Sequence, residues 1–507
     1  MTDELPAGWA EAVLSDVFDN LDSKRIPINS AERAQRLATA GDRYPYYGAT
    51  GQVGEIDEFL FNGEAVLLGE DGAPFLDARK RKAYLVDGKY WVNNHAHILR
   101  AKSEMSNAFF CHQLNAIDYR PYVAGTTRLK LTQAAMNDIR LVVAPATEQQ
   151  RIVSKIDELF SRIGEGERAL ERVQKLVERY RQSVLKAAVT GELTRDWRDN
   201  NKDQLESGEA LLARILKSRR EAWENAELDK MKVKGITPAN DKWKQKYEEP
   251  AAPDTADLPE LPTGWQWASL EQIAAPEKYA VTDGPFGSNL KTEHYTDSGP
   301  RVVRLQNIKD GAFADERAHI SAAHFDQLQK HHIFAGDLLI AALGESLPRV
   351  CLVPEELGPA IVKADCVRFK ASPNILAECV MAFLNSPPSR NRTKKIIHGV
   401  GRPRLNLEEI RALVVPVPSM AEQVVIADRI RIQVGLVEHM LVEQEQLSMR
   451  VTALRQSTLS RAFRGGLVQQ DTNDEPASML LRRIASTCNE APAKPKRGRK
   501  PKTSEPA

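Results

Sequence analysis

Apolar positions along this 507-residue chain fall into two kinds of pattern. From Ile152 to Val184 they recur in alternating steps of four and three: Ile152, Ile156, Leu159, Ile163, Leu170, Val173, Val177, Tyr180 and Val184, with Gly166 at the one empty position. A second stretch keeps the same phase through Ile426, Ile430, Val437, Met440, Leu447, Val451 and Leu454, with Gln433 and Gln444 on the same seam. A 3.5-residue period is the heptad signature of helices packed along a seam. Each stretch therefore predicts a helix of about 35 residues, about 50 Å long. Both follow a proline-marked apolar edge, Leu141–Pro145 and Leu413–Pro418, and both end near a glycine, Gly191 and Gly465, suited to a C-terminal cap.

Elsewhere the pattern is that of strands and turns. Glu64–Gly69 and Tyr84–Val86 are strand-like, the turn Glu70-Asp71-Gly72-Ala73 follows the first, and Asp87-Gly88 after the second signals a hairpin. Tyr90–Leu99 alternates apolar and polar residues as one half-buried strand. Further along, a Gly-rich loop, Thr282–Lys291, is followed by Arg301–Ile308 and Ala335–Ile340. Residues 196–258 are highly charged, helical around Leu211–Leu216, and run into the extended Pro250–Asp254, as a connector would. A short helix is expected at Met479–Ile484, and then a basic tail, Lys494–Lys502, of the kind that is disordered.

The chain repeats itself. Leu5-Pro6-Ala7-Gly8-Trp9 with Leu14 returns as Leu261-Pro262-Thr263-Gly264-Trp265 with Leu270, 256 positions on. Glu148-Gln149, Ile152 and Ile156 return as Glu422-Gln423, Ile426 and Ile430, 274 positions on, and the same offset carries Arg181-Gln182-Ser183 onto Arg455-Gln456-Ser457. It extends back to Gly125, Arg128 and Leu131, which fall on Gly399, Arg402 and Leu405. Between these anchors, residues 20–120 and 276–395 do not align. Two modules with one architectural role and two specificities would look like this; so would an old duplication whose middle has drifted.

Composition narrows the class. A hydrophobic fraction of 42% and a charged fraction of 27% are ordinary for a soluble chain of several domains. There is no apolar run of transmembrane length and no signal-like start. Five widely spaced cysteines without Cys-x-x-Cys spacing fit a reducing cytoplasm better than a disulfide or zinc framework. A net charge of +1 neither supports nor excludes nucleic acid.

No catalytic motif is complete. Adenine methyltransferases need an Asn/Asp-Pro-Pro-aromatic loop, and Asn385-Ser386-Pro387-Pro388-Ser389 lacks both its spacing and its aromatic. No nucleotide-binding P-loop or dinucleotide fingerprint is present. His95 and His97 lie two apart, which invites a metal reading, but no third ligand is near in sequence and no metal is assigned. The basic doublets Arg128/Lys130 and Arg402/Arg404 fit phosphate clamping or a solvated strand edge.

In its duplicated Leu-Pro-x-Gly-Trp openings, Glu-Gln helix starts and Arg-Gln-Ser-x-Leu…Gly-x-Leu helix ends, the chain resembles the specificity (S) subunit of type I restriction–modification systems, over nearly its whole length. Tyr46-Tyr47-Gly48-Ala49-Thr50-Gly51 and Trp91-Val92-Asn93-Asn94-His95-Ala96-His97 look like a recurring target-recognition domain. The resemblance implies a mixed α/β (α+β) fold: two globular target-recognition domains separated by two long helices packed as an antiparallel coiled coil. The expected division is 1–147 and 259–421 for recognition, 148–195 and 422–470 for helical spacers, 196–258 for the connector and 471–507 for the short helix and tail. Each module would read half of a split duplex DNA target. The helices would bind two methyltransferase subunits carrying S-adenosylmethionine, and motor-nuclease subunits using ATP and Mg would join them; this chain would hold no cofactor and no catalytic residue. Candidate DNA contacts are Tyr47, Thr50, Glu70, Asp71, Asn93, Asn94, His95, Arg128 and Lys130 in the first module. In the second they are Phe286, Ser288, Asn289, Lys291, Arg304, Asn307, Arg349, Arg402 and Arg404. A self-sufficient methyltransferase and a coiled-coil scaffold are the rival readings.

Overall fold

The fold is a computed structural model that describes residues 5–38, 41–201, 205–397 and 403–489. It divides into two compact units, Met1–Arg172 with Gln444–Ala507, and Val173–Glu443. The division falls inside the two long helices, Ala146–Val189 and Met420–Ala462. They hold 44 and 43 residues, about 65 Å each, so they exceed the expected 35. The excess comes from both ends: each helix starts behind the proline-marked edge, before its Glu-Gln pair, and runs on past Val184 or Leu454.

In the first unit the start of one long helix meets the end of the other: Ile152 and Ile156 share a core with Leu459 and Ala462. In the second unit Ala188 and Val189 share a core with Ile426 and Ala427. Within each unit the helices thus run antiparallel. The seam closes less completely than the heptad pattern implies. Ile163, Val177, Val184 and Val437 are buried, whereas Val173, Tyr180, Met440, Leu447 and Leu454 are exposed. Two helices alone cover only one strip of each other, and those positions lie outside the module cores.

The repeated motifs meet in space. In the first unit the Trp9 indole donates to Glu148 (3.0 Å), and the strand Ala10–Val13 pairs with Arg140–Val143. Gly465 adopts φ +73°, and a side chain there would run into Pro6. In the second unit the Trp265 indole donates to Glu422 (2.8 Å), Gln266–Ser269 pairs with Val414–Val417, and Pro262 covers Gly191. Gln149 and Gln423 play one role twice: each accepts from the entry to a module helix, Ser106 N–H and Leu376 N–H, and donates back to the carbonyl of Ala144 or Pro418.

The modules do not align in sequence, yet they share a topology. One four-stranded sheet runs Phe18–Asn20, Ala96–Ala101, Ala65–Gly69, Ala83–Val86 in the first module and Val281–Asp283, Cys366–Phe369, Leu338–Ala341, Arg349–Leu352 in the second. The other sheet runs Gly51–Ile56, Tyr44–Gly48, Lys89–Val92, Phe61–Asn62 and His319–Ile320, Tyr295–Val303, Ala360–Val362, His332–Ile333. Its two central strands are parallel in both modules.

Two expectations need correction. Asp87-Gly88 closes no hairpin; it passes the chain from the first sheet to the second. Tyr90–Leu99 is two strands, broken at Asn93, whose side chain accepts from His95 N–H in a turn. Both strands are buried on both faces, which removes the constraint that would have kept them alternating. The connector has a helix where one is expected, and it packs: Gly208–Val233 buries Leu211, Leu212 and Ile215 in the second module's core, and Arg219 donates to Ala274 O. The helix Ala477–Asn489 does the same for the first module through Ala477, with Leu481 packed against that core. The basic tail lies outside the described residues.

Candidate nucleic-acid interface

Three loops converge at one end of the first module's sheets, and backbone hydrogen bonds fix them. Glu70 N–H donates to His95 O (2.8 Å), Leu131 N–H to Glu70 O (2.8 Å) and Asn93 N–H to Tyr47 O (3.0 Å). The second module has the same three bonds: Ala342 N–H to Asp365 O (2.8 Å), Leu405 N–H to Ala342 O (2.9 Å) and Lys363 N–H to Val303 O (2.8 Å). Isolated bridges Asp71–Lys130 and Leu343–Arg404 complete the match. Backbone bonds are blind to side-chain identity, so one frame carries two sets of side chains. Where the first module has Glu70, Asp71, Asn93, Asn94, His95 and Lys130, the second has Ala342, Leu343, Lys363, Ala364, Asp365 and Arg404.

In the first module Arg128 Nε lies 2.6 Å from Asp71, His95 Nδ1 3.6 Å from the same carboxylate, and Lys130 3.4 Å from Glu70. Tyr47 is half-buried beside this group, and Thr50 and Asn94 are exposed. Beneath it sits a charged network. Arg25 donates to Glu70 (2.8 Å) and reaches Asp22 (3.4 Å). Buried His97 places Nδ1 2.6 Å from Asp22 and Nε2 3.0 Å from Leu131 O. Burial works to raise the Asp22 carboxyl, but the His97 hydrogen bond and charge, Ile98 N–H and Arg25 together hold it below its ordinary value. His95 and His97 do not share a face: His95 sits in the turn and His97 in the strand behind it. Asp22, Glu70 and His97 bring three ligand-type atoms within 4.8 Å of one another. Arg25 and Lys130 already supply positive charge to these carboxylates, so the cluster acts as an ion-pair brace under the loops.

In the second module Arg404 pairs with Asp365 (2.9 Å), and its guanidinium lies 5.7 Å from the Phe286 ring centroid. Ser288, Asn289 and Lys291 are exposed on the loop that follows Phe286, with Lys291 3.5 Å from Glu293. Arg304 is half-buried and donates to Arg317 O (3.5 Å). One candidate is corrected. Asn307 is buried, and its amide is consumed in holding Arg304 N–H and the carbonyls of Ala314 and Glu316. Arg349 is half-buried and ties its strand to Leu305 O (3.3 Å). Arg402 lies outside the described residues. The sequence reading missed Lys363 and Asp365, whose only signal is the turn between the strands Ala360–Val362 and Cys366–Phe369 of a module that aligns with nothing, and Arg25 and Asp22, which sit far from the loops in sequence.

The near-motif at Asn385 has a structural use. Asn385 is buried and binds both the N–H and the carbonyl of Val350, while Ser386 caps the helix Pro387–Thr393. Asn115 pins its strand through Lys82 N–H and Ala83 O in the same way. The four described cysteines, Cys111, Cys351, Cys366 and Cys379, are buried free thiols. No helix among the described residues is long and apolar enough to cross a membrane.

Comparison with known proteins agrees with this picture. The family model of the type I restriction modification DNA specificity domain matches residues 6–172. The chain is 22% identical to the EcoDI type I restriction enzyme specificity subunit of Escherichia coli, over 93% of this chain and 92% of that one. It is 32% identical over 146 residues to a putative type I specificity subunit of Haemophilus influenzae, which is 29% of this chain and 36% of the other. A chain from a structural study of the assembly and conformational transition of the type I R-M system shares the fold, at a TM-score of 0.57 and 16% identity, over 91% of this chain and 99% of that one.

Proposed function

The chain belongs to the specificity subunits of type I restriction–modification systems, and on that premise we propose that each of its modules reads one half of a split duplex DNA target. One observation carries the proposal: a single three-loop backbone frame occurs twice, with different side chains on it. Base identity is read by side chains held in register against the groove edge. A fixed frame with exchangeable side chains is the arrangement such reading needs. Tyr47, Thr50, Glu70, Asp71, Asn93, Asn94, His95, Arg128 and Lys130 form the first reading surface; Phe286, Ser288, Asn289, Lys291, Arg304, Arg349, Lys363, Asp365 and Arg404 form the second.

Chemistry belongs to partners in the cytoplasm. Two methyltransferase subunits bring S-adenosylmethionine and flip an adenine in each half-site; motor-nuclease subunits bring ATP and Mg. The long helices offer a docking surface. In the second unit Leu176, Ile432, Leu436 and Val442 are exposed, as are Leu447, Met449 and Leu454 in the first, more apolar surface than a monomeric helix pair leaves open. A self-sufficient methyltransferase would need its Pro-Pro loop free at a pocket, whereas Asn385 is spent on Val350. A scaffold would have no use for two differently dressed copies of one frame.

Gel-shift titration of the purified chain, alone and with the partner methyltransferase, tests this. Sequence-specific retention that tightens with the partner is expected. Equal affinity for all duplexes in the assembled complex would overturn it.

A further inference from the structure

We infer that each module presents one carboxylate-buttressed arginine to a guanine of its half-site: Arg128 held by Asp71 in the first, and Arg404 held by Asp365 in the second. The inference rests on the DNA-reading function proposed above and names the side chains and the base.

Geometry comes first. The closest approach of Asp71 to Arg128 is at Nε, 2.6 Å, on the flank of the guanidinium rather than at its tip. The Arg128 side chain is 60% exposed while Asp71 is 22% exposed, so the carboxylate is the fixed base and the guanidinium the projecting head. Arg404 is held by Asp365 through a terminal nitrogen, Nη2, at 2.9 Å, which leaves Nη1 and the second N–H of Nη2 to face a base; the exposures are 50% and 25%, and the half-exposed Phe286 ring lies under the guanidinium. A guanidinium plane fixed by a carboxylate or a ring loses less entropy on binding than a free arginine.

The chemistry then selects a base. Guanine shows two acceptors, O6 and N7, on its major-groove edge, and an arginine fork meets both at once. Adenine sets its N6 donor against the same fork. The carboxylate also counters the arginine's charge, which weakens sequence-independent attraction to phosphate. Asp71 and Asp365 remain beside the fork to accept from N4 of the paired cytosine.

The third argument is that the pairs are not inherited from one another. By the repeat offset Arg404 is the counterpart of Lys130, not of Arg128. In the shared frame Asp365 stands where His95 does, not where Asp71 does. Duplication followed by drift would keep a pair in place or lose it; here the same pair is built from different positions. Folding gives no reason for it, because an exposed ion pair contributes little stability.

The test uses the complete system in cells, with the methylated motif read by long-read sequencing, and Arg128→Lys as the principal variant. Lysine keeps the charge and loses the fork. One G·C position in one half-site should become degenerate, with discrimination falling about tenfold to a hundredfold. The other half-site should stay intact, and Asp71→Asn should relax the same position. Arg404→Lys should do the equivalent in the other half. If a variant methylates too weakly to map, the purified complex is titrated against duplexes carrying each base pair at every position of that half-site. An unchanged preference at every position would overturn the inference. So would a uniform loss across all sequences with a shallower salt dependence, the mark of a phosphate contact. Failure of the parent reading looks different: the wild-type complex would then give no two-part motif.

Discussion

Replacing residues 20–120 with the corresponding module of another family member should change one half of the methylated target and leave the other half as it was. Two attachments of the first module to its helix lie outside that segment: Trp9 on Glu148, and the Ala10–Val13 strand on Arg140–Val143, which precedes the helix. All of the reading loops except Arg128 and Lys130 lie inside it. The graft must bring its own apolar helix, because Phe109 packs edge-on against Phe463 (5.3 Å) and Trp9 (6.3 Å), and Phe109 and Phe110 are fully buried. A graft polar at those two positions would lose about 3–5 kcal/mol per aromatic and fail by unfolding. With the apolar pair kept, sequencing of methylated DNA should show one new half-site. Changes in both halves would mean that the modules do not read independently.

Glu422→Ala should destabilise the protein far more than Glu148→Ala, although the two residues are counterparts in the repeat. Glu422 is buried and accepts from Trp265 Nε1 (2.8 Å), Thr194 Oγ1 (2.7 Å) and Arg198 Nη1 (2.7 Å). Removing it leaves a largely buried guanidinium, an indole N–H and a hydroxyl without an acceptor, a loss of about 3–5 kcal/mol. The counterparts of Thr194 and Arg198 are Val468 and Thr472, neither of them cationic. Glu148 accepts the Trp9 indole, and its loss should cost about 1–3 kcal/mol. Glu148 also carries a pH dependence. Burial pushes the Glu148 carboxyl above its ordinary range, against the Trp9 hydrogen bond. A raised carboxyl favours the folded state while protonated, so its contribution is full below the ordinary glutamate value and is lost as pH rises through the raised one. Glu148→Gln should therefore gain on the wild type with rising pH. Denaturation midpoints of the variants across pH would check both points; equal losses for the two alanine variants would refute the asymmetry.

The frame was legible in the sequence because its residues meet each other. Leu-Pro-x-Gly-Trp and Glu-Gln recur since Trp9 and Trp265 need those glutamates, and Gly191 and Gly465 recur since Pro262 and Pro6 lie where a side chain would be. The shared topology of the modules was not legible. What repeats there is backbone hydrogen bonding, which any side chain permits, and the loops differ in length, with residues 70–82 in one module standing where 342–348 stand in the other. The one repeated side chain inside, Asn115 and Asn385, lies 270 positions apart, off both offsets that sequence alignment offers. The helical seam was over-read, because a heptad pattern marks every apolar face and does not say which partner covers it: Met440, Leu447 and Leu454 obey the period and stay exposed. Charge masked the packing of the connector, whose three buried aliphatics are outnumbered along its helix by lysines, arginines and acids. Among the site residues, those on the loops were accessible from turn signals, while Asp365 and Arg25 became visible only through their partners in space.

The most direct test of the central claim is a map of methylated adenines in DNA from cells that express this chain with its partner methyltransferase, compared with cells that express either one alone. The expected result is one motif made of two separated half-sites, present only when both proteins are made. A single contiguous motif, or methylation by either protein without the other, would contradict it.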